Sequence, residues 1–234
     1  MKSKKVILFI VEGITDKNSL SLILSKIIRN NNIQFQVVHG DITSNRDTTI
    51  PNCITKVNEE VKKFLDINRF RRSDIFKIIH LVDTDGAYVN EENIKKGKVE
   101  KIGYTNEFIL TSNVEAIIER NKKKSKVLDK LHTSTSIGGT DYCMYYFSCN
   151  LEHVLHNTQN LSGGLKDQYS DDFADKYYGN EEEFIYFMKN SDFSVGGNYK
   201  ETWDMIKIDK NSLNRYCNFS LFFDEFLIDK ENWI

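Results

Sequence analysis

Two short apolar runs, each rich in β-branched residues and each ending abruptly in acid, constrain this chain more than any other feature. Val6-Ile7-Leu8-Phe9-Ile10-Val11 leads straight into Glu12-Gly13-Ile14-Thr15-Asp16, and Ile78-Ile79-His80-Leu81-Val82 leads into Asp83-Thr84-Asp85-Gly86. An apolar run bounded by turn residues has the pattern of a strand buried on both faces, as in a parallel sheet. Ligands of open α/β sheets bind just beyond the carboxyl ends of such strands. Glu12, Asp16, Asp83 and Asp85 are therefore expected on one edge of one sheet. Ionised carboxylates brought close together demand protonation or a counter-charge. Mg²⁺ or Mn²⁺, hard ions that favour oxygen ligands, meets that demand most economically.

The segments between and after these runs alternate strand with helix. Thr15 or Asp16 can cap a helix to about residue 29, with Leu20, Ile23, Leu24, Ile27 and Ile28 on one face and Asn30-Asn31-Asn32 ending it. Gly13 is expected for a tight turn. Phe35-Gln36-Val37-Val38 reads as a second strand, closed by His39-Gly40-Asp41. Residues 52–67 read as a second helix, with Ile54, Val57, Val61, Phe64 and Leu65 inward. Residues 75–82 then form the third strand, an order that implies crossovers and a parallel sheet with helices on both faces. Residues 87–107 are polar and long enough for a functional loop or insertion. A helix over 115–131 follows. The aromatic run 142–147 is the most plausible fourth strand, and Leu151 begins another helix. From Leu161 onward the pattern is helical, and the stretch 218–226 is apolar enough to dock on the core.

Composition bounds the function without choosing it. A chain of 234 residues with 40% hydrophobic and 28% charged residues suits one α/β domain with an extension. The net charge of −2 neither demands nor excludes nucleic acid, since an acidic site can mask a basic face. Cys53, Cys143, Cys149 and Cys217 form no Cys-x-x-Cys pair and are expected as reduced thiols. The apolar run behind Met1 stops at Glu12, so neither a signal peptide nor a membrane span is read, and a cytoplasmic location is expected. His153 and His156 lie beside Glu152 but lack a third zinc ligand at recognisable spacing. No Walker motif occurs.

A strand ending in Glu-Gly-x-x-Asp, followed later by a strand ending in Asp-x-Asp-Gly, resembles the Toprim domain. Topoisomerases, bacterial primases, small RNA-maturing nucleases and the overcoming-lysogenization-defect nucleases of phage defence share that domain. The resemblance covers roughly residues 5–165. It implies a Toprim-like parallel sheet of about four strands over residues 1–165, flanked by helices on both faces, with an insertion at about 87–135. Residues 166–234 would form a helical extension on the same core. It further implies that Glu12 is a metal ligand or general acid/base, and that Asp16, Asp83 and Asp85 are ligands. In the defence-type members a Ser/Glu pair and a downstream lysine complete the site. Ser148, Glu152 and Lys166 fit that order, although Ser-x-x-x-Glu is looser than the usual pattern. Ser112 and Glu115 compete by spacing, as Lys176 competes with Lys166; the strand preceding Glu152 favours it over Glu115.

The function expected from these residues is Mg²⁺-dependent hydrolysis of DNA or RNA, tRNA included, in phage defence by abortive infection. Topoisomerase chemistry would need a tyrosine nucleophile on a further domain, and primase activity would need zinc-binding regions. Arg69, Arg71 and Arg72, and Arg120, Lys122, Lys123 and Lys124, are basic clusters that could track a phosphate backbone or simply be a solvated face. A second class stays open: a non-catalytic or partner-regulated Toprim module that binds nucleic acid or nucleotide within a defence complex. Any ATPase subunit would be a separate chain, and oligomerisation is left open.

Overall fold

The computed structural model describes residues 6–28, 33–37 and 41–228. It contains a five-stranded, mostly parallel sheet flanked by helices, in the order β2-β1-β3-β8-β7. Strands β1 (Val6–Val11), β2 (Ile33–Val37), β3 (Ile75–Asp83), β7 (Ser136–Ile137) and β8 (Thr140–Phe147) compose it. Strand β1 pairs in parallel with β2 on one side and β3 on the other, with Ile10 opposite both Gln36 and His80. All six β1 side chains are buried. Each fully buried Val, Leu, Ile or Phe contributes about 1.5–3 kcal/mol, so this strand anchors the sheet. The fifth strand, β7, arises because Gly138 and Gly139 turn the chain into an antiparallel hairpin ahead of β8. The expected ends of helix α1 at Asn30-Asn31-Asn32 and of β2 at Val38-His39-Gly40 lie outside the described residues.

The chain folds as two compact units. The first comprises the described residues of Met1–Val82, Glu119–Tyr145 and Gly163–Gly179. Helix α1 (Ile14–Ile27) buries Leu20, Ile23, Leu24 and Ile27, the apolar face read from the sequence. It packs against α5 (Gly163–Lys176) through small polar residues. Ser19 Oγ donates to Ser170 Oγ at 3.1 Å, and Ser170 Oγ donates in turn to the carbonyl of Thr15 at 3.1 Å. Helix α2 (Cys53–Asn68) turns Val57, Val61 and Phe64 inward, again as the spacing predicts.

The first unit also holds a buried ion pair. Helix α3 (Val114–His132) carries Lys124, whose side chain is fully buried and whose ammonium bonds Asp41. Thr43 and Ser44 also donate to that carboxylate, while Lys123 Nζ donates to the carbonyls of Ser44 and Asn45. Burial alone would push the Asp41 carboxyl up. The Lys124 charge and the donated hydrogen bonds overcome burial and hold it well below the usual carboxylate range. His80, on β3, is buried with Nδ1 2.8 Å from the Tyr142 hydroxyl. Burial, with Lys124 adding to it against the pull of Asp41, lowers His80 to about 4 and keeps it neutral.

The second unit comprises Asp83–Ile118, Tyr146–Ser162 and the described residues of Asn180–Ile234. The stretch read as a polar insertion folds into a small sheet of its own, β4 (Ile94–Lys96), β6 (Ile109–Thr111) and β5 (Gly103–Tyr104), in that order. Its underside is a cluster of Val89, Ile94, Ile109, Ile117 and Leu213. After β8 comes the short helix α4 (Leu151–His156), and later α6 (Glu181–Asn190), α7 (Tyr199–Met205) and α8 (Ser220–Ile228). Aromatic rings fill the core here: Tyr146 meets Trp203 edge-on at 5.0 Å, and Phe147 meets Phe219 at 6.0 Å. None of the four cysteines is in a disulfide, and burial pushes Cys217 up to about 12. Among the described residues no helix is long and apolar enough to cross a membrane.

The Asp41–Lys124 pair gives a stability prediction. Removing one partner of a buried pair typically costs about 3–5 kcal/mol, because the other charge stays buried and uncompensated. Lys124→Met should therefore lose about that much at neutral pH. In the wild type, Asp41 is depressed, so its contribution is present above its unfolded value of 3.8 and lost as pH falls through the folded value. In the variant, burial without a cation raises the carboxyl instead, so protonation relieves the penalty as pH falls. Urea unfolding of both proteins at neutral and mildly acidic pH should show the gap narrowing on acidification. A gap that widens or stays constant contradicts the assignment.

Candidate functional site

The first acidic motif starts one residue beyond β1. Glu12 is half-buried there, and Gly13 forms the N-cap of α1. The helix begins before Thr15 and Asp16, so neither residue is the cap. Asp16 instead sits in the first turn and reaches back, its carboxylate accepting from the Gly13 N–H at 2.9 Å. That is the acidic half of a capping box, with the carboxylate placed at the positive end of the helix. The tight turn expected at Gly13 is absent: its φ of −127° is extended, and an added Cβ would meet its nearest neighbours at an ordinary 3.6 Å.

The second motif is built differently from the extended pair expected. Asp83 is the last residue of β3, but Asp85 has φ +50° and Gly86 φ +67°, so the chain curls through two left-handed residues. The rule that residues two apart share a side does not apply across such a turn. Backbone bonds to the last residue of β8 and the chain just beyond it impose the curl: Thr84 N donates to the carbonyl of Phe147 and Asp85 N to that of Cys149. The Thr84 hydroxyl accepts from Cys149 N at 2.8 Å and donates to the carbonyl of Ser212 at 2.9 Å. Asp83 Oδ1 accepts from Leu151 N at 2.9 Å, at the first residue of α4. Asp85 Oδ1 accepts from the Tyr104 hydroxyl at 3.3 Å. Both residues are half-buried, and each carboxylate is oriented by a donor.

Glu152, the next residue after Leu151, is buried in α4, which follows β8 as the sequence reading required. Glu115 is exposed in the first turn of α3, and Ser112 is exposed just before it. Asp83, Asp85 and Glu152 thus follow the ends of β3 and β8 in the second unit, where Asp83 bonds the residue next to Glu152. Ser148 is fully buried, its hydroxyl donating to the carbonyl of Asn211 at 2.7 Å, a structural tie. Arg215 caps the far end of α4 by donating to the carbonyls of His153 and Val154. Burial, then the nearby Arg215 charge, lowers His153 to about 4, so this histidine is neutral. Lys166 is half-buried in the first turn of α5, in the first unit with Glu12 and Asp16. Lys176 is exposed, its ammonium 4.8 Å from the centre of the Tyr177 ring.

The basic run divides. Lys122 is exposed, Lys123 holds the loop carbonyls of Ser44 and Asn45, and Arg120 donates to Asn121 Oδ1. Lys124 is withdrawn from any solvated face by its buried pairing with Asp41, which corrects its expected role as a phosphate contact. Arg72 likewise is half-buried and donates to Asn58 Oδ1.

The candidate donors are all carboxylate oxygens, a set that suits a hard divalent cation rather than zinc. Among the described residues no three His, Cys, Asp or Glu side chains gather into a metal-holding group. Mg²⁺, however, keeps several waters and is usually bound through one or two carboxylates together with substrate phosphates. Asp83 and Asp85, half-buried carboxylates each held by a donor, suit that smaller requirement. No family model, curated protein or solved structure matches the chain.

Gly86 is where the turn is most exposed to mutation. A Cβ there would lie 2.7 Å from Leu213 Cδ2 and 3.0 Å from Ile109 Cδ1, on a left-handed backbone. Gly86→Ala should cost about 2–5 kcal/mol, combining the left-handed penalty with overpacking. Gly13→Ala should cost less, about 1 kcal/mol, because alanine is a poorer N-cap than glycine but meets no clash and no left-handed backbone there. Denaturant titration of the two variants checks the contrast, and equal effects would contradict it.

Proposed function

We propose that this protein is a Mg²⁺- or Mn²⁺-dependent nuclease with a Toprim-like core, hydrolysing phosphodiester bonds of DNA or RNA in phage defence from a cytoplasmic location. The observation that carries the reading is the second acidic motif. Asp83 and Asp85 stand at the end of a central buried strand, half-buried and oriented by Leu151 N and the Tyr104 hydroxyl. Strand ends of open α/β sheets are where such folds bind ligands.

In this reading Asp83 and Asp85 hold the ion. When bound, it would polarise the scissile phosphate and supply hydroxide from water at neutral pH. Glu12 acts as a further ligand or as general acid/base, and Asp16 adds a ligand while its carboxylate fixes the start of α1. Glu152 completes the acidic set beside Asp83, and Lys166 offsets charge developing on the phosphate. Arg120 and Lys122 supply non-specific attraction for the polyanion, since Lys123 and Lys124 are engaged in holding residues 41–45. An ATPase partner that gates the activity is compatible with the reading, as is self-association.

The test is cleavage of single-stranded DNA, duplex DNA and tRNA with Mg²⁺, with Mn²⁺ and with a chelator. Glu12→Gln and Asp83→Asn keep side-chain shape and remove charge. Each should lower cleavage by about 10²–10⁴-fold, the usual contribution of a positioned acid or base, with the melting temperature kept near wild type. Undiminished metal-dependent cleavage by a stable Glu12→Gln variant would refute the role given to Glu12.

A further inference from the structure

We propose that Tyr104 is a positioning residue for Asp85, and that Asn160 holds Tyr104 in place. The inference rests on the reading above that Asp85 is a ligand of a divalent ion. Tyr104 comes from the small sheet of the second unit, a stretch with no acidic motif of its own. It ends β5, which lies at the edge of the order β4-β6-β5 and pairs with β6 through Tyr104 opposite Ile109. An edge strand leaves backbone donors and acceptors unpaired on its outer side. Here the Asn160 side chain takes both: Tyr104 N donates to Asn160 Oδ1 at 2.8 Å, and Asn160 Nδ2 donates to the Tyr104 carbonyl at 2.7 Å. The amide closes the edge as a neighbouring strand would.

The side chain is fixed as firmly as the backbone. The Tyr104 ring packs on the cluster of Val89, Ile94, Ile109, Ile117 and Leu213, and its hydroxyl donates to Asp85 Oδ1 at 3.3 Å. That distance is long for an O–H···O bond, and such bonds commonly tighten only when the ligand is in place. The neighbouring residue Gln159 is anchored too, donating to the carbonyl of Leu213 at 2.9 Å and accepting from Asn150 Nδ2 at 2.8 Å. A continuous chain of contacts therefore runs from Asn150, the N-cap of α4, through Gln159, Asn160 and Tyr104 to the Asp85 carboxylate. Outer hydrogen-bond donors of this kind orient a metal's ligands, and removing one typically weakens metal binding 10–100-fold.

Calorimetry with Mn²⁺ tests the assignment on the intact protein. Tyr104→Phe keeps the ring on its cluster and removes the hydroxyl. It should weaken Mn²⁺ binding about tenfold, the low end of that range, with the metal-free melting temperature unchanged. Terbium luminescence excited through tyrosine gives a second readout, since transfer needs a tyrosine close to the bound ion. The sensitised signal at saturating Tb³⁺ should fall in Tyr104→Phe although every other tyrosine remains. Asp85→Asn separates the two layers of the argument. If it weakens Mn²⁺ binding while Tyr104→Phe leaves both affinity and terbium signal at wild type, the positioning role is overturned and the site reading stands. If Asp85→Asn binds Mn²⁺ as tightly as wild type, the site reading falls and the inference falls with it.

Discussion

The hydrogen bonds that sew the chain beyond β3 to the chain beyond β8 decide what the second acidic motif can be. Two backbone bonds and the Thr84 hydroxyl join Thr84 and Asp85 to Phe147, Cys149 and Ser212. They convert a strand end into a compact left-handed turn, which a threonine with a buried, two-way hydroxyl and a glycine packed under Leu213 can occupy. Asp83 then reaches the first N–H of α4, and Asp85 is presented to Tyr104. Two carboxylates that would be adjacent spokes of an extended strand thus become separately supported groups. Glu152 is carried into the same neighbourhood because α4 begins where this stitching ends.

The buried ion pair of the first unit solves a different problem. A carboxylate and an ammonium removed from water each cost several kcal/mol, and their attraction repays this only with good geometry and further hydrogen bonds. Asp41 has those bonds, from Thr43 and Ser44 as well as Lys124. The pair need add little net stability to matter structurally. Its breakage is what would be expensive, and with Lys123 it pins residues 41–45 to α3. Lys124 and Lys123 are thus used in holding a loop, which leaves Arg120 and Lys122 as the members of the run closest to a solvated basic face.

Much of the sheet was legible in the sequence. Strands β1 and β3 are buried runs with little polar interruption, β8 is an aromatic run with a turn on each side, and α2 shows clean helical spacing. The small sheet was not legible, because strands of two or three residues have too few positions to show a period. Its partners are also distant in sequence, with Leu213 reaching the cluster from near the other end of the chain. The curl at Asp85 depends on Phe147 and Cys149, so no local pattern around Asp83 could announce it. Tyr104 was missed for the same reason, its partners Asp85 and Asn160 lying 19 and 56 residues away. Lys124 is another matter. It falls on the stripe of Asn121, Leu128 and Leu131, all buried, so helical spacing did mark it as inward. The neighbouring lysines gave the run the look of a solvated face.

The central claim is that the turn at the end of β3 is a divalent-cation site. Anomalous diffraction from crystals soaked in Mn²⁺ tests it most directly, because the ion is then located without reference to activity. The account predicts a peak bonded to carboxylate oxygens of Asp83 and Asp85, lost in crystals of Asp85→Asn. A well-occupied peak elsewhere, with none at this turn at saturating Mn²⁺, would contradict it.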